Sequence, residues 1–202
     1  MQQSRGPAVG SAAGIWTPAG LAVAGALIAG AGLVLHLMGR RLWCACGSWV
    51  PWSWDIWSSH NSQHLVDPYA FTHFLHGLIF YAGLRWLLGG RWPLVRVLLA
   101  LAIELAWEVG ENTNTVIDAY RESTISLNYH GDSLLNSLGD VAALALGYLV
   151  AARVPVWVSL ALFAGIEVGL LLAIRDSLLL NVVMLLAPVE ALKAWQMAGA
   201  PH

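Results

Sequence analysis

Long apolar runs alternate with short polar interruptions along this chain. The first run, Trp16–Met38, lies within a stretch from Gly6 to Gly39 that has no Asp, Glu, Lys or Arg. It exceeds the roughly 7–15 apolar residues of a secretory signal, so it reads as an uncleaved first helix. Further runs follow at Tyr69–Leu88, Pro93–Gly110, Ser133–Ala152 and Val154–Ile174, separated by Gly/Pro, Arg or polar turns. Each approaches the roughly 20 residues that a membrane-crossing helix needs. The last stretch, Ser177–Trp195, is apolar as far as Ala187 and is then broken by Pro188 and Glu190. A sixth crossing and a helix lying at the surface both remain open for it. The pattern predicts an all-α polytopic transmembrane helix bundle of five spans plus a C-terminal hydrophobic helix. Residues 1–15 form a short cytoplasmic tail, residues 16–197 a single transmembrane bundle domain, and residues 198–202 a second tail.

Composition agrees with a chain dissolved in lipid. Of 202 residues, 58% are hydrophobic and only 11% charged, against roughly 25% charged in a water-soluble domain. A soluble enzyme is thereby nearly excluded. The formal net charge is −2 and the basic residues are scattered, so there is no basic stripe for nucleic acid. Two cysteines cannot make a disulfide scaffold. Orientation follows from arginines in short loops. Arg85, Arg91 and Arg96 crowd the turn between the second and third spans, with Arg153 and Arg5 on the same side and Arg40, Arg41, Arg121 and Arg175 opposite. The Arg-dense side is assigned to the cytoplasm. Segment 40–68 then faces outward, and it holds Trp43, Trp49, Trp52, Trp54 and Trp57. Trp favours the headgroup zone, so this loop reads as a surface anchor, or more sharply as a lid or stacking platform over a site.

Ionisable residues inside spans are expensive and by default suggest function. His73 and His76 lie near the outer start of the second span, on neighbouring positions of one face. Glu104, Glu108 and Glu111 form one stripe toward the outer end of the third. Asp132, Asn136 and Asp140 open the fourth at i, i+4, i+8, and Glu167, Arg175 and Asp176 close the fifth. Counted along helices, His76, Glu104, Asp140 and Glu167 all fall roughly 10 Å deep. The inference is a polar pocket in the outer half of the membrane, with the alternative that these groups are only hydrogen-bonding glue between helices. So many carboxylates cannot all be ionised at that depth without a cation, and Arg121 and Arg175 are the protein's candidate counter-charges. His73, His76, Glu104, Glu108 and Glu111 are also the ligand types of a divalent zinc, iron or manganese site. Cys44 and Cys46 stand one residue apart outside the first span. They suit a soft ion, redox chemistry or a purely structural role, and His60 and His64 could complete a Cys/His site of zinc or copper type.

The strings CACG, SSHNSQHL, THFLHGLIFY, ELAWEVGENT, IDAYRESTISLNYHGDSLLNSLGD and RDSLLLNVVMLLAPVEALKAWQ follow in order. Together they resemble an uncharacterised family, of the UPF/DUF kind, of multi-pass inner-membrane proteins of Gram-negative bacteria. The resemblance covers about residues 20–197 and implies a location and a topology, without an activity. A looser similarity is to VanZ-like membrane proteins, carried by His73, Glu104, Arg121 and Asp132-x-x-x-Asn136-x-x-Gly139. Glu108, Glu111, Asp140 and the Cys-x-Cys depart from that pattern, which implies only a substrate in the cell envelope.

Three functions fit these residues. The first is an enzyme on a lipid or lipid-linked cell-envelope substrate at the periplasmic side of the inner membrane. In it Asp132 and Asp140 act as base and acid, Asn136 orients substrate, His73 and His76 carry protons or bind metal, and Arg121 binds an anionic headgroup. The second is a metal-handling protein that captures ions through Cys44, Cys46 and the histidines. The third is a non-catalytic scaffold or assembly subunit whose buried polar groups fix helix packing.

Overall fold

The computed structural model describes residues 17–200. The expected tail at 1–15 with Arg5, the first residue of the expected span at Trp16, and the last two residues of the chain lie outside that range. The described residues form eight α-helices: α1 (Pro18–Leu37), α2 (Ala70–Leu88), α3 (Pro93–Glu111), α4 (Asn114–Ser123), α5 (Leu134–Ala151), α6 (Val156–Ile174), α7 (Leu178–Leu186) and α8 (Glu190–Met197). Among those residues β-structure is confined to an isolated bridge, Trp52 to Val66. The fold is all-α.

Three helices are long and apolar enough to cross a membrane: α1, α5 and α6. Helices α2 and α3 have the 19 residues for it but carry the histidines and glutamates, which lower their hydropathy. All five coincide within two residues with the expected runs. The stretch Ser177–Trp195 is two short helices. The nine residues of α7 rise only about 13 Å, less than half of a roughly 30 Å hydrocarbon core. The chain breaks around Pro188, which has no N–H to continue the ladder. Helix α4 arises where the sequence pattern gave a loop. Its apolar stripe is short, and Thr113 starts it by accepting a hydrogen bond from the Val116 amide at 3.5 Å.

Helices α2 and α5 approach more closely than side chains would allow. A Cβ on Gly77 would strike the Leu144 carbonyl, and one on Gly147 the Phe74 carbonyl. Small residues at such crossings let backbones touch and give dispersion contacts where lipid offers no hydrophobic drive. Leu101, Leu105 and Val141 pack against Ala24, Leu27 and Ile28 of α1, and Leu75, Leu78 and Ala151 against Leu162 and Phe163 of α6. Much apolar surface stays outward, including Leu33, Trp86, Trp157, Leu172 and Leu186.

At one end of the bundle three connections interlock. Leu134 N–H donates to the Arg41 carbonyl at 2.8 Å, Ser133 N–H to the Ser62 carbonyl at 2.9 Å, and Arg40 Nη1 to the His130 carbonyl at 2.5 Å. The segment after α1 and the segment before α5 therefore cover the ends of α2, α3 and α5 where the polar stripes begin. Arg96, expected in the turn between α2 and α3, is instead buried in the first turn of α3 at 6% exposure. Arg85, Arg91 and Arg153 are left to mark that side.

Candidate functional site

Helix spacing sets the first contact. His73 and His76, one turn apart on α2, both face Glu104 of α3. His73 Nδ1 lies 2.5 Å from Glu104 Oε1, and His76 Nδ1 lies 3.0 Å from Glu104 Oε2. One carboxylate is thus shared by two imidazoles, and it is fully buried. One turn further along α3, Glu108 Oε1 stands 3.5 Å from the same His73 Nδ1. From there the groups overlap: His73, Glu108 and Asp140 have donor atoms within 4.8 Å of one another, and so do Glu108, Glu111 and Asp132. A continuous run of ligand-type side chains leads from His76, inside the bundle, to Asp132 at its covered end.

Charge makes this run unusual. Glu104, Glu108, Glu111, Asp132 and Asp140 are all buried, and the ion pairs that reach them among the described residues come only from His73 and His76. Both carboxylate oxygens of Glu108 and one of Asp140 have no hydrogen-bond partner. Unpaired buried carboxylates are costly, so the cluster needs protons or a bound cation to balance it. Its donor set of imidazoles and carboxylates suits zinc, iron or manganese.

At the covered end, Asp132 accepts from Asn112 Nδ2 at 2.6 Å and from the Tyr129 hydroxyl at 3.1 Å, while its own N–H donates to Asn112 Oδ1 at 2.7 Å. Burial pushes its carboxyl above the usual range, and the Asn112 donor works against that rise. Asp132 and Asp140 are both buried, at 5% and 3% exposure. The loop around residues 60–67 and the segment 112–133 close over Asp132. Asp67 accepts from the Tyr69 and Ala70 amides at 2.7 and 3.2 Å and so starts α2. Its carboxyl is also raised, by burial and then by the charge of Asp132.

A cavity of about 230 Å³ opens beside the cluster. His73, His76, Glu111, Asp132 and Asp140 are among its polar lining, with Tyr69, Tyr120 and Tyr129, and its apolar lining is Phe80, Ile103 and Trp107 with Leu178, Val182 and Leu185 of α7. Ile103, Trp107 and Val182 also keep exposed outer surface. A second cavity of about 610 Å³ lies on the covered end, lined by Arg40, Arg41, Cys44, Cys46, His60 and Gln63, and Asp132 borders both.

Other expected site residues are placed elsewhere. Asn136 turns away and donates from Nδ2 to the His64 carbonyl at 2.8 Å and to Asp67 at 3.4 Å. Arg121 is taken up by the Tyr129 carbonyl at 2.6 Å, by His130 and by Asp118 at 3.6 Å; the arginines that border a cavity are Arg40 and Arg41. Glu167 accepts from the Leu178 and Leu179 amides at 3.0 and 3.3 Å, which caps α7. Arg175 donates to the Trp195 carbonyl and lies over its ring. Neither Glu167 nor Arg175 joins the cluster. Cys44, Cys46, His60 and His64 form a separate group. Sequence reasoning missed Asp67, Asn112 and Tyr129. Asp67 had a usable signal, since Asp before Pro at the start of an apolar run marks a turn into a helix.

Residues 35–198 match the model of a family described as a protein of unknown function, DUF2585. The chain belongs to the DUF2585 family. Its relatives include proteins named UPF0314 from Paracoccus denitrificans, 47% identical over 83% of this chain and 87% of the relative, and from Sphingopyxis alaskensis, 44% identical over 89% and 96%. A third, from Rhizobium meliloti, is 48% identical over 81% of this chain and 83% of its own. No solved structure matches. The DUF2585 match runs from the last turns of α1 to just past α8 and so includes every residue of the cluster.

Proposed function

We propose that this chain is a multi-pass inner-membrane enzyme. It performs metal-assisted or acid–base hydrolysis or transfer on an amphiphilic lipid or lipid-linked envelope substrate. Helices α1, α2, α3, α5 and α6 make five crossings, and the covered end with its two cavities faces the periplasm. The carrying observation is the cavity of about 230 Å³ lined both by apolar side chains and by the His/carboxylate cluster. An acyl chain fits against Phe80, Ile103, Trp107 and Val182, entering between α3 and α7 from the bilayer. The headgroup then lies against Asp132, Glu111 and His73, with Arg40 and Arg41 toward the solvent side.

In this reading His73, His76, Glu104 and Glu108 would hold a divalent cation, which would supply Lewis-acid activation of the bond to be cleaved. A carboxylate at Asp132 takes the proton from water or an acceptor alcohol as the oxygen of that nucleophile bonds to the electrophilic centre. A proton from Asp140 goes to the leaving oxygen as its bond breaks.

The test is complementation of a deletion strain, with envelope lipids read by mass spectrometry. Asp132→Asn and Asp140→Asn are each expected to leave membrane abundance intact and to accumulate the same lipid as the deletion. Full complementation by both variants would overturn catalysis and leave a scaffold, for which the close α2–α5 packing already provides.

A further inference from the structure

A second group of metal-ligand side chains lies outside the bundle, in the loop between α1 and α2. Cys44 Sγ is 3.3 Å from His60 Nδ1, Cys46 Sγ is 3.8 Å from His64 Nε2, and the two imidazole nitrogens are 3.4 Å apart. All four donor atoms lie within 4.8 Å of one another. A tetrahedral zinc with Zn–S of about 2.3 Å and Zn–N of about 2.0–2.1 Å requires neighbouring ligand atoms about 3.3–3.8 Å apart. The three measured separations fall in that window.

The surroundings prepare the same four atoms. His64 Nδ1 lies 2.6 Å from the Val50 carbonyl, so it is the protonated nitrogen and Nε2 keeps its lone pair for a metal, the usual arrangement of a ligating histidine. The Cys46 amide donates to Cys44 Sγ at 3.3 Å and the Ser48 amide to Cys46 Sγ at 3.4 Å. Each sulfur thus receives one backbone amide. Gly47, with φ +74°, makes the turn that brings the Ser48 amide back onto Cys46, a conformation that costs a glycine little. Trp43 packs edge-on to the His64 ring at 5.4 Å and excludes water from one side.

We infer that Cys44, Cys46, His60 and His64 bind one zinc ion in a closed Cys₂His₂ site that staples the outer loop over the bundle. Four protein ligands leave no open position, so the ion is structural. It fixes residues 60–64, and these hold α5: the Ser62, Gln63 and His64 carbonyls accept from Ser133 N–H at 2.9 Å, Ser133 Oγ at 3.1 Å and Asn136 Nδ2 at 2.8 Å. Asp132 sits directly before Ser133. The staple thus sets the wall between the solvent-side cavity and the buried cluster, whether or not that cluster is catalytic.

The test uses the full chain in detergent, purified without chelator or polyhistidine tag. In the His73→Ala, His76→Ala background, elemental analysis is expected to give about one zinc per chain, which is lost when Cys44→Ser and Cys46→Ser are added. Cobalt substitution is expected to add a sulfur-to-cobalt charge-transfer band and tetrahedral visible bands, also lost in the double-Ser variant. If that variant does not accumulate, His60→Cys serves instead: a Cys₃His site keeps zinc and strengthens the charge-transfer band. Zinc retained in the His73→Ala, His76→Ala background after loss of both thiols, copper as the resident ion, or cobalt binding there without a thiolate band would each overturn the site. A negative lipid result with the Asp132 variant leaves this outcome untouched.

Discussion

At the scale of single residues, Glu104 and Glu108 are four positions apart on one helix face and do different work. Glu104 is satisfied by two imidazoles, whereas Glu108 has an ion pair with His73 at 3.5 Å and no hydrogen bond to either carboxylate oxygen. Glu104→Gln replaces one of the two acceptor oxygens shared by the buried His73 and the half-buried His76 with an amide NH₂. Breaking such an arrangement costs about 3 kcal/mol or more, so the detergent unfolding midpoint should fall; an unchanged midpoint would show the pairs to be worthless. Glu108→Gln removes a ligand and no hydrogen bond. In the Cys44→Ser, Cys46→Ser background, which removes the loop site, it should abolish metal retention by the His/carboxylate cluster with little change in stability. Retention would show that Glu108 is not a ligand, and a background variant that holds no metal would assign the charge balance to protons. The stripes on α2, α3 and α5 were legible because helical spacing puts i, i+3 and i+4 on one face. Which stripe met which was not. Glu167 lies at a depth like that of Glu104 but turns to the amides of α7, because α7 begins there and its first N–H groups need an acceptor. Arg121 was equally opaque: its partners Tyr129 and His130 are brought to it by a loop whose course no periodic pattern encodes.

Among the elements, length and hydropathy located five helices within two residues, and they did so even where polar residues diluted α2 and α3. The break at Pro188 was also legible, but the outcome, two short helices, depended on packing of α8 that the apolar count does not contain. Closeness was the least visible property. Glycines at 77, 139 and 147 look like those at 83, 165 and 169 in the sequence, yet only the first three meet backbone, Gly77 and Gly147 across the α2–α5 contact and Gly139 at the Leu65 carbonyl of the loop before α2. Gly147→Ala places a methyl against the Phe74 carbonyl and must push α2 from α5, at a cost of about 1–3 kcal/mol for overpacking. Gly165 has nothing within 4 Å of its would-be Cβ, so Gly165→Ala should be neutral or gain up to about 1 kcal/mol of helix propensity. Chemical unfolding of the two variants side by side separates these cases. Equal effects would mean that the α2–α5 contact does not carry stability.

For the whole molecule, the C-terminal helices matter because they close the structure rather than extend it. Asp176, between α6 and α7, gathers four donors: the Tyr69 hydroxyl at the start of α2 at 3.0 Å, the Ser177 amide at 2.9 Å, Asn181 of α7 at 3.0 Å and Gln196 of α8 at 3.1 Å. One carboxyl thereby joins the beginning, the end and the cavity wall of the bundle. Burial outweighs these donors and pushes it from 3.8 to about 6. Because the folded chain holds this proton more tightly than the unfolded chain does, protonation favours folding. The contribution is complete below the unfolded value near 3.8, declines as pH rises, and is gone above about 6. Asp67 and Asp132 are raised as well and slope the same way, so the thermal midpoint in detergent should fall from pH 4 toward neutrality. Asp176→Asn cannot titrate and should flatten the part of that slope between about 4 and 6. It should also lower the midpoint at neutral pH, since an amide offers one oxygen to donors that the carboxylate held with two. A variant whose slope matches the parent throughout that window would place the titrating group elsewhere and would leave Asp176 as a hydrogen-bond hub alone.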